Sequence, residues 1–573
     1  MSVFFNGRLL TTPTVETIVN DGGLNPQNAN VGNSLALVGL CEGGIPKSPM
    51  VIRNIAHARQ VLRGGELLWA VEKAFAPSSD TSAPGTIYAV RVNPATQATK
   101  TLQGGSPLAN VLTLKSTDYG SHTNSIQVKI ETGSVKGLKV TTQQGATYYT
   151  QDNLARDAFT IRYTGAELTG TVSVTEGTVV LKAGATTTTI QLTDYPTVQR
   201  LVERLAGETG WTTTINPGVE TTAALRGLDG LTDVDAKTAN LTVTANLQAI
   251  IDWINSAAED LVTAERPTGA LKPPAVTDFV YLTGAINGVS TNSDWSTCFD
   301  VLQSEDVQWI APLSETPAVW GMADSHCQFM SNMGRKERRC FVGAGSGLDF
   351  EQAVTDATSL NSDRTSYVYP AFYDYDAYGQ VVLMPAYKLA GMCAAAFASM
   401  TPGEPLTNKS LRISGLELPV AAPSDTDFLI RNGIMAVYQN SRGGFRVAKS
   451  ITTWRTNNNY NRVEVSTGVA LDYTVRSVRE RLELFVGKKG TQISLAGIIE
   501  EAASILQSLT QKEPFGLGLL AGDRDNPSFR NLTAEIRGDV VTVEFECSPV
   551  VPINYILVSI YANAYTGVAT YSE

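Results

Sequence analysis

A multidomain chain of the α+β and α/β classes is predicted by three features of these 573 residues. Strand-like and helical stretches alternate from 278 to 369, which argues for a mostly parallel sheet covered by helices. A Thr- and Gly-rich block over 99–239 shows β-branched alternation with almost no helical period, and reads as a β-rich insert. The last third couples two amphipathic helical patterns to two apolar extended runs, the pattern of a further α+β layer.

Taken in order, residues 1–22 hold an extended segment with Thr14, Val15, Thr17 and Val19 and no nearby hairpin mate. An apolar strand at 34–39 leads through a Gly/Pro loop to helices starting near Asn54, a good N-cap, and Glu66. The strand at 86–92 then closes a β-α-β-like unit. Within 99–239, only 198–205 looks helical. Leu247, Ile250, Ile251, Ile254, Ala258, Leu261 and Val262 follow a 3.6-residue period, predicting a helix that Pro267 ends. Strands at 278–282, 307–310, 339–343 and 366–369 alternate with helical patterns near Trp295, at 319–333 and at 350–361. A Pro/Ser/Asp segment at 419–427 precedes the final part, where helices are expected at 471–485 and 494–509 and a strand at 540–546.

The predicted layout is therefore an N-terminal arm (1–22), a discontinuous α/β domain (23–98 with 240–424), a β-rich inserted domain (99–239), an α+β C-terminal domain (425–552) and a C-terminal arm (553–573), which the resemblance described below turns into outer (α/β and inserted) and inner (C-terminal) domains. The apolar run at 555–561 places Ile556, Val558 and Ile560 on one face of a strand. Such a strand must pair with something, either inside the chain or on the next subunit.

Composition narrows the function. With 43% apolar and 17% charged residues, the chain can bury several cores, and its length suggests roughly three or four domains. The net charge of -11 contains no basic block, so direct nucleic-acid binding is not expected. The first residues turn polar too soon for a signal peptide. The apolar run at 389–400 is about twelve residues, short of the roughly twenty that span a bilayer, so no membrane insertion is expected. Six cysteines form no C-x-x-C pair and read as buried reduced thiols.

No catalytic, cofactor-binding or metal set emerges. The loop from Cys340 to Gly347 lacks the glycine that a dinucleotide fingerprint needs at Leu348 and the Gly-Lys-Ser/Thr of a phosphate loop, so it reads as a tight strand-to-helix turn. Nor does Ser346 sit in a nucleophile elbow. His57, His122 and His326 are the three histidines; His326 shares a helical stripe with Val319, Met322, Met330 and Met333 and reads as packed. Asp523 and Asp525 start like a calcium loop, but Pro527 stands at the third ligand position and a turn is expected. Tyr373, Asp374, Tyr375, Asp376 and Tyr378 suit a polar loop or a subunit contact. Arg335, Lys336, Arg338 and Arg339 read as the solvated end of a helix.

Residues 386–395, 406–411, 432–434 and 445–454, followed by the two helices, the closing strand, Pro549 and Pro552, resemble the sheath proteins of contractile bacteriophage tails. The resemblance covers 381–573, is looser over 34–94, and places no motif in 99–239. It implies stacked hexameric rings forming a helical sheath around the tail tube, which contract to drive the tube through the host envelope. Implied partners are other copies of the chain, the tail tube, baseplate and tail terminator proteins, in a virion assembled in the host cytoplasm, with no cofactor. It implies strand exchange by terminal arms: Thr14, Val15, Thr17 and Val19 at one end and Ile556, Val558 and Ile560 at the other, with Val541, Val543 and Phe545 on the acceptor strand. Arg446 and Lys449 become a possible tube contact, against the alternative of a solvated strand edge. The outer domain of that family is likened to subtilisin, yet no Asp-His-Ser triad is traceable here, and no enzyme activity is expected. Other self-assembling lattices (a type VI-like sheath or a surface layer) and an α/β hydrolase are the competing readings.

Overall fold

The computed structural model describes residues 33–512, 516–562, 564 and 567, with the backbones of the strands Val3–Phe5 and Arg8–Leu10, which pair antiparallel as a small hairpin. The chain divides into two compact units, one formed by residues 1–36, 74–86 and 306–573, the other by 37–73 and 87–305.

In the first unit, strands Trp309–Pro312, Arg339–Gly343, Thr365–Tyr369 and Ile434–Gln439 lie side by side in that order and run parallel. Phe445–Val447 adds an antiparallel strand at the end. Every residue of Arg339–Gly343 and Thr365–Tyr369 is buried, which requires cover on both faces of the sheet. Helices Pro317–Asn332, Phe350–Leu360 and Ala386–Ser399 pack against it. The apolar run at 389–400 is thus a core helix, buried along nearly its whole length, with Phe397 stacked on Trp309 at 5.0 Å. No helix among the described residues is long and apolar enough to cross a membrane. Gly343 is required by close approach, since a Cβ there would lie 2.6 Å from the Ala386 carbonyl. Five of the six cysteines are buried and Cys547 is half-buried, all as free thiols.

The 419–427 segment does not separate two sheets. Ser424–Arg431 is a helix whose Asp425 carboxylate accepts from the Ala421 amide at 2.9 Å, and the strand after it, Ile434–Gln439, joins the parallel sheet. Proline-rich composition signals a local bend, and long-range strand pairing leaves no trace in it.

The second unit holds helices Ile55–Leu62 and Glu66–Ala74, the first capped by Asn54 as expected, its Oδ1 accepting from the His57 amide at 2.8 Å. The β-rich region forms two three-stranded and two four-stranded antiparallel sheets around two apolar cores. Its sheets extend past residue 239: Leu241–Thr244 pairs with Asp157–Tyr163, Val262–Glu265 with Ala109–Ser116, and Thr277–Tyr281 with Gln127–Thr132. The strand expected at 278–282 therefore belongs to the insert's sheets and not to the parallel sheet. The helix expected to reach Pro267 stops at Ile254. There the Asn255 side chain both donates to and accepts from the Ala264 backbone, at 2.9 and 2.8 Å, and the chain reverses into a strand. Polar side-chain bonding to backbone stops a helix that apolar periodicity alone would prolong.

Arg91, fully buried, ties the roots of this region together. It donates to the Gly44 and Tyr119 carbonyls at 3.0 and 2.9 Å and to Asn287 Oδ1 at 3.1 Å.

Candidate functional site

The C-terminal layer is built from helices Val465–Leu482 and Gln492–Thr510 and the antiparallel hairpin Phe529–Arg537 with Val540–Cys547. Ala470, Tyr473, Val478, Leu506 and Leu509 form its core, with Phe529 and Phe545 packed against them. Alternation along the hairpin sets its two faces. Val541, Val543 and Phe545 point inward and are half-buried, whereas Thr542, Glu544 and Glu546 are exposed. Among the described residues this sheet has two strands, so the expected acceptor strand already has one neighbour and keeps one free edge.

Beyond Val550, whose amide donates to the Leu519 carbonyl at 2.9 Å, the described residues form neither helix nor strand. Ile556, Val558 and Ile560 are 80%, 75% and 85% exposed, and Leu557 and Tyr561 on the opposite face are equally bare. A run of large apolar side chains open to water on both faces is costly for an isolated chain and marks an interaction segment. Thr14, Val15, Thr17 and Val19 lie outside the described residues.

Both cations named as a possible tube contact have partners within the chain. Arg446 donates to the Asn408 carbonyl at 2.6 Å and to its Oδ1 at 3.2 Å. Lys449 is 3.0 Å from Glu464 Oε1, and its ammonium lies over the Tyr555 ring at 5.8 Å.

The basic run at 335–339 is not a solvated helix end either. Glu337, Arg338 and Arg339 are buried at the start of an inner strand of the parallel sheet, where the Val465–Leu482 helix supplies partners for Glu337 and Arg339. Asp472 accepts from Arg339 at 3.2 and 3.0 Å and from Arg364 at 2.6 Å. Arg476 pairs with Asp306 and Glu480, and Arg479 reaches Glu337 at 2.6 Å. Gly468 makes room for this clamp, because a Cβ there would lie 2.1 Å from Arg339 Nη2. The signal for the cluster was present in sequence: Asp472, Arg476 and Arg479 recur at helical spacing on one face. Their carboxylate and guanidinium partners come from three separate strand starts, which no local pattern joins.

His326 is packed as expected, and its Nε2 accepts from the Arg338 guanidinium at 2.8 Å. Burial, with the Arg338 charge beside it, holds its imidazole down at about 3. The folded state therefore keeps His326 neutral while an unfolded chain protonates it below its ordinary value of about 6.5. Stability is expected to fall as pH drops from 6.5 towards 3, by about 1.4 kcal/mol per pH unit from this group. His326→Gln, which can still accept from Arg338, should flatten that slope in denaturant unfolding followed against pH; an unchanged slope would show that other groups carry it.

The remaining chemical candidates have local structural roles. His57 lies at an exposed helix start, and His122 bonds Asp118 at 2.9 Å and the Glu42 carbonyl at 3.2 Å. Residues 340–347 form the predicted strand-to-helix turn, followed by a capping box of Asp349 and Gln352 on Phe350–Leu360. Asp523 closes a turn by accepting from the amides of Asp525 and Asn526 at 2.9 and 2.7 Å. Tyr373 and Asp374 lie on a hairpin strand, Phe372–Tyr375, paired with Val381–Met384, with Tyr375 and Tyr378 exposed. Among the described residues no group of three or more His, Cys, Asp or Glu could hold a metal ion.

No family model matches the sequence. The chain is 27% identical to the tail sheath protein of Bacillus phage SP01 over 595 aligned positions, spanning 100% of this chain and 99% of that protein. It is 26% identical to the tail sheath protein of Staphylococcus phage Twort, across 88% of this chain and 90% of that one. In fold it is similar to the sheath tail proteins of Desulfitobacterium hafniense (TM-score 0.54, 12% identity, 94% of this chain and 96% of that one) and Listeria innocua (0.53, 14%, 91% and 93%). The chain is thus similar along its whole length to tail sheath proteins of bacteriophages, and it shares the fold of sheath tail proteins.

Proposed function

We propose that the chain polymerises as stacked hexameric rings around a tail tube, linked by strand exchange of its terminal arms, and contracts to drive the tube through the host envelope. The observation that carries this reading is the bare apolar segment at 556–561 in a chain whose closing hairpin keeps a free edge. A donated strand would add main-chain hydrogen bonds to that edge while its alternate side chains find cover, which is β-augmentation. Residues 14–19 are proposed as the second donated arm. Main-chain links tolerate reorientation, so subunits can swing as rigid bodies about them while the lattice passes to a lower-energy arrangement, without nucleotide hydrolysis. The tail tube, the baseplate and a tail terminator are the partners this role requires, in a virion tail assembled in the host cytoplasm.

Electron microscopy of the purified full-length chain tests the reading. Hollow cylinders of sixfold symmetry are the expected product. Flat lattices, or monomers that persist at high concentration, would overturn it.

A further inference from the structure

The C-terminal segment is held at one point before it becomes bare. Glu464, completely buried between Tyr460–Val463 and Val465–Leu482, is fixed by its backbone, which bridges to Ile451 and donates to the Tyr460 carbonyl at 2.8 Å. Its Oε1 takes the Lys449 ammonium at 3.0 Å and the Asn554 amide at 2.8 Å, while its Oε2 is buried with no hydrogen-bond partner. Lys449 in turn sits over the Tyr555 ring. Asn554 and Tyr555 form one wall of a groove of about 200 Å³ lined by Pro423, Asp427, Ile430 and Tyr438. Among the described residues, the Asn554 bond is the last hydrogen bond that the chain makes before its exposed end. Ile553 on one side of it is 84% exposed and Ile556 on the other 80%.

We propose that Glu464, Lys449 and Asn554 form a latch that fixes the root of the C-terminal arm and sets its pivot at Tyr555. The proposal rests on the arm reading above. Two strengths are combined in the latch. The ion pair is permanent, because a buried carboxylate deprived of its only cation is severely destabilising. The Asn554 bond is a neutral donor on a charged acceptor, strong enough to hold one orientation and weak enough to release when the arm is pulled. Holding the root limits the directions open to the arm, which lowers the ordering cost of donating it to a neighbour. Lys449 is thereby a positioning residue for the arm, which accounts for its half-buried place where sequence alone suggested a possible tube contact.

The test uses the full chain with Cys547→Ser and a nitroxide label at Ile553→Cys or Val558→Cys, the other cysteines being buried. In the unassembled subunit, Asn554→Ala should speed label rotation at 553 at least threefold and leave 558 unchanged. Asn554→Asp, which sets a second carboxylate against Glu464, should free the root further. Both variants keep the Lys449–Glu464 pair, and an unchanged melting temperature would confirm the fold. Unchanged mobility at 553 in both variants overturns the latch. A several-fold rise in the critical concentration for polymerisation of Asn554→Ala is expected as well, and no change there overturns the latch's part in aiming the arm. Truncation after residue 555 tests the arm reading separately: if that chain still polymerises, the arm reading falls, while the label at 553 still decides the latch.

Discussion

Removing residues 556–573 is expected to abolish polymerisation while leaving a folded subunit. The described part of this segment makes no hydrogen bond to the rest of the chain, and its apolar side chains are open to water, so the subunit's own cores lose nothing with it. An assembled lattice stands to lose a great deal. Burying a Val or Ile side chain is worth about 1.5–3 kcal/mol, and Ile556, Val558 and Ile560 share one face of the extended run. Against this stands an association cost of about 4–15 kcal/mol. One arm is therefore close to break-even alone and decisive when repeated in every subunit. The same arithmetic gives a point-mutation version: Val558→Asp should raise the critical concentration at least tenfold, about 1.4 kcal/mol. Sedimentation and circular dichroism of the truncated chain check both halves of the claim. Cylinders from a chain ending at 555 would place the essential contact elsewhere.

Asp472→Ala is expected to be among the most damaging single substitutions in the first unit. It leaves Arg339 and Arg364, with side chains 5% and 15% exposed, without the carboxylate they share. An uncompensated buried charge costs about 3–5 kcal/mol, which should lower the melting temperature by about 10 °C in a unit of this size. The exposed pair Arg530–Glu546, at 66% and 55% exposure, is the internal control. Arg530→Ala should change stability by about 1 kcal/mol or less. Equal effects from the two substitutions would mean that the clamp is no stronger than a surface pair. The triple variant Arg339→Met, Arg364→Met, Asp472→Leu should recover most of the loss, because the cost lies in the unpaired charges and not in the missing contact.

Much of the secondary structure was legible because its causes are local. The strand at 339–343 announces itself through the apolar run Cys340 to Gly343, the Ile55–Leu62 helix through the Asn54 cap, and the closing hairpin strand through strict alternation from Val541 to Phe545. Errors arose where a distant partner decides. The 3.6-residue pattern continued past Ile254, but Asn255 bonding to Ala264 ended the helix. Residues 278–282 look like any strand, and their pairing with 127–132 could not be read from either segment alone. Arg338 and Arg339 read as solvated because an isolated basic run is usually so; their burial depends on Asp472 and on His326 from two different helices.

The sequence by itself determined the fold class, the order of most elements, the absence of a recognisable catalytic set and the resemblance to sheath proteins. These depend on periodicity, caps and motif order, which act over a few residues each. Only the tertiary structure decided which strands share a sheet, that Lys449 and Asn554 meet on the Glu464 carboxylate, and that Asp306, Glu337, Arg339 and Arg364 clamp the Val465–Leu482 helix. Those outcomes need side chains separated by tens to hundreds of residues to meet, and the favourable energy of a buried ion pair exists only once the fold has excluded the water between them.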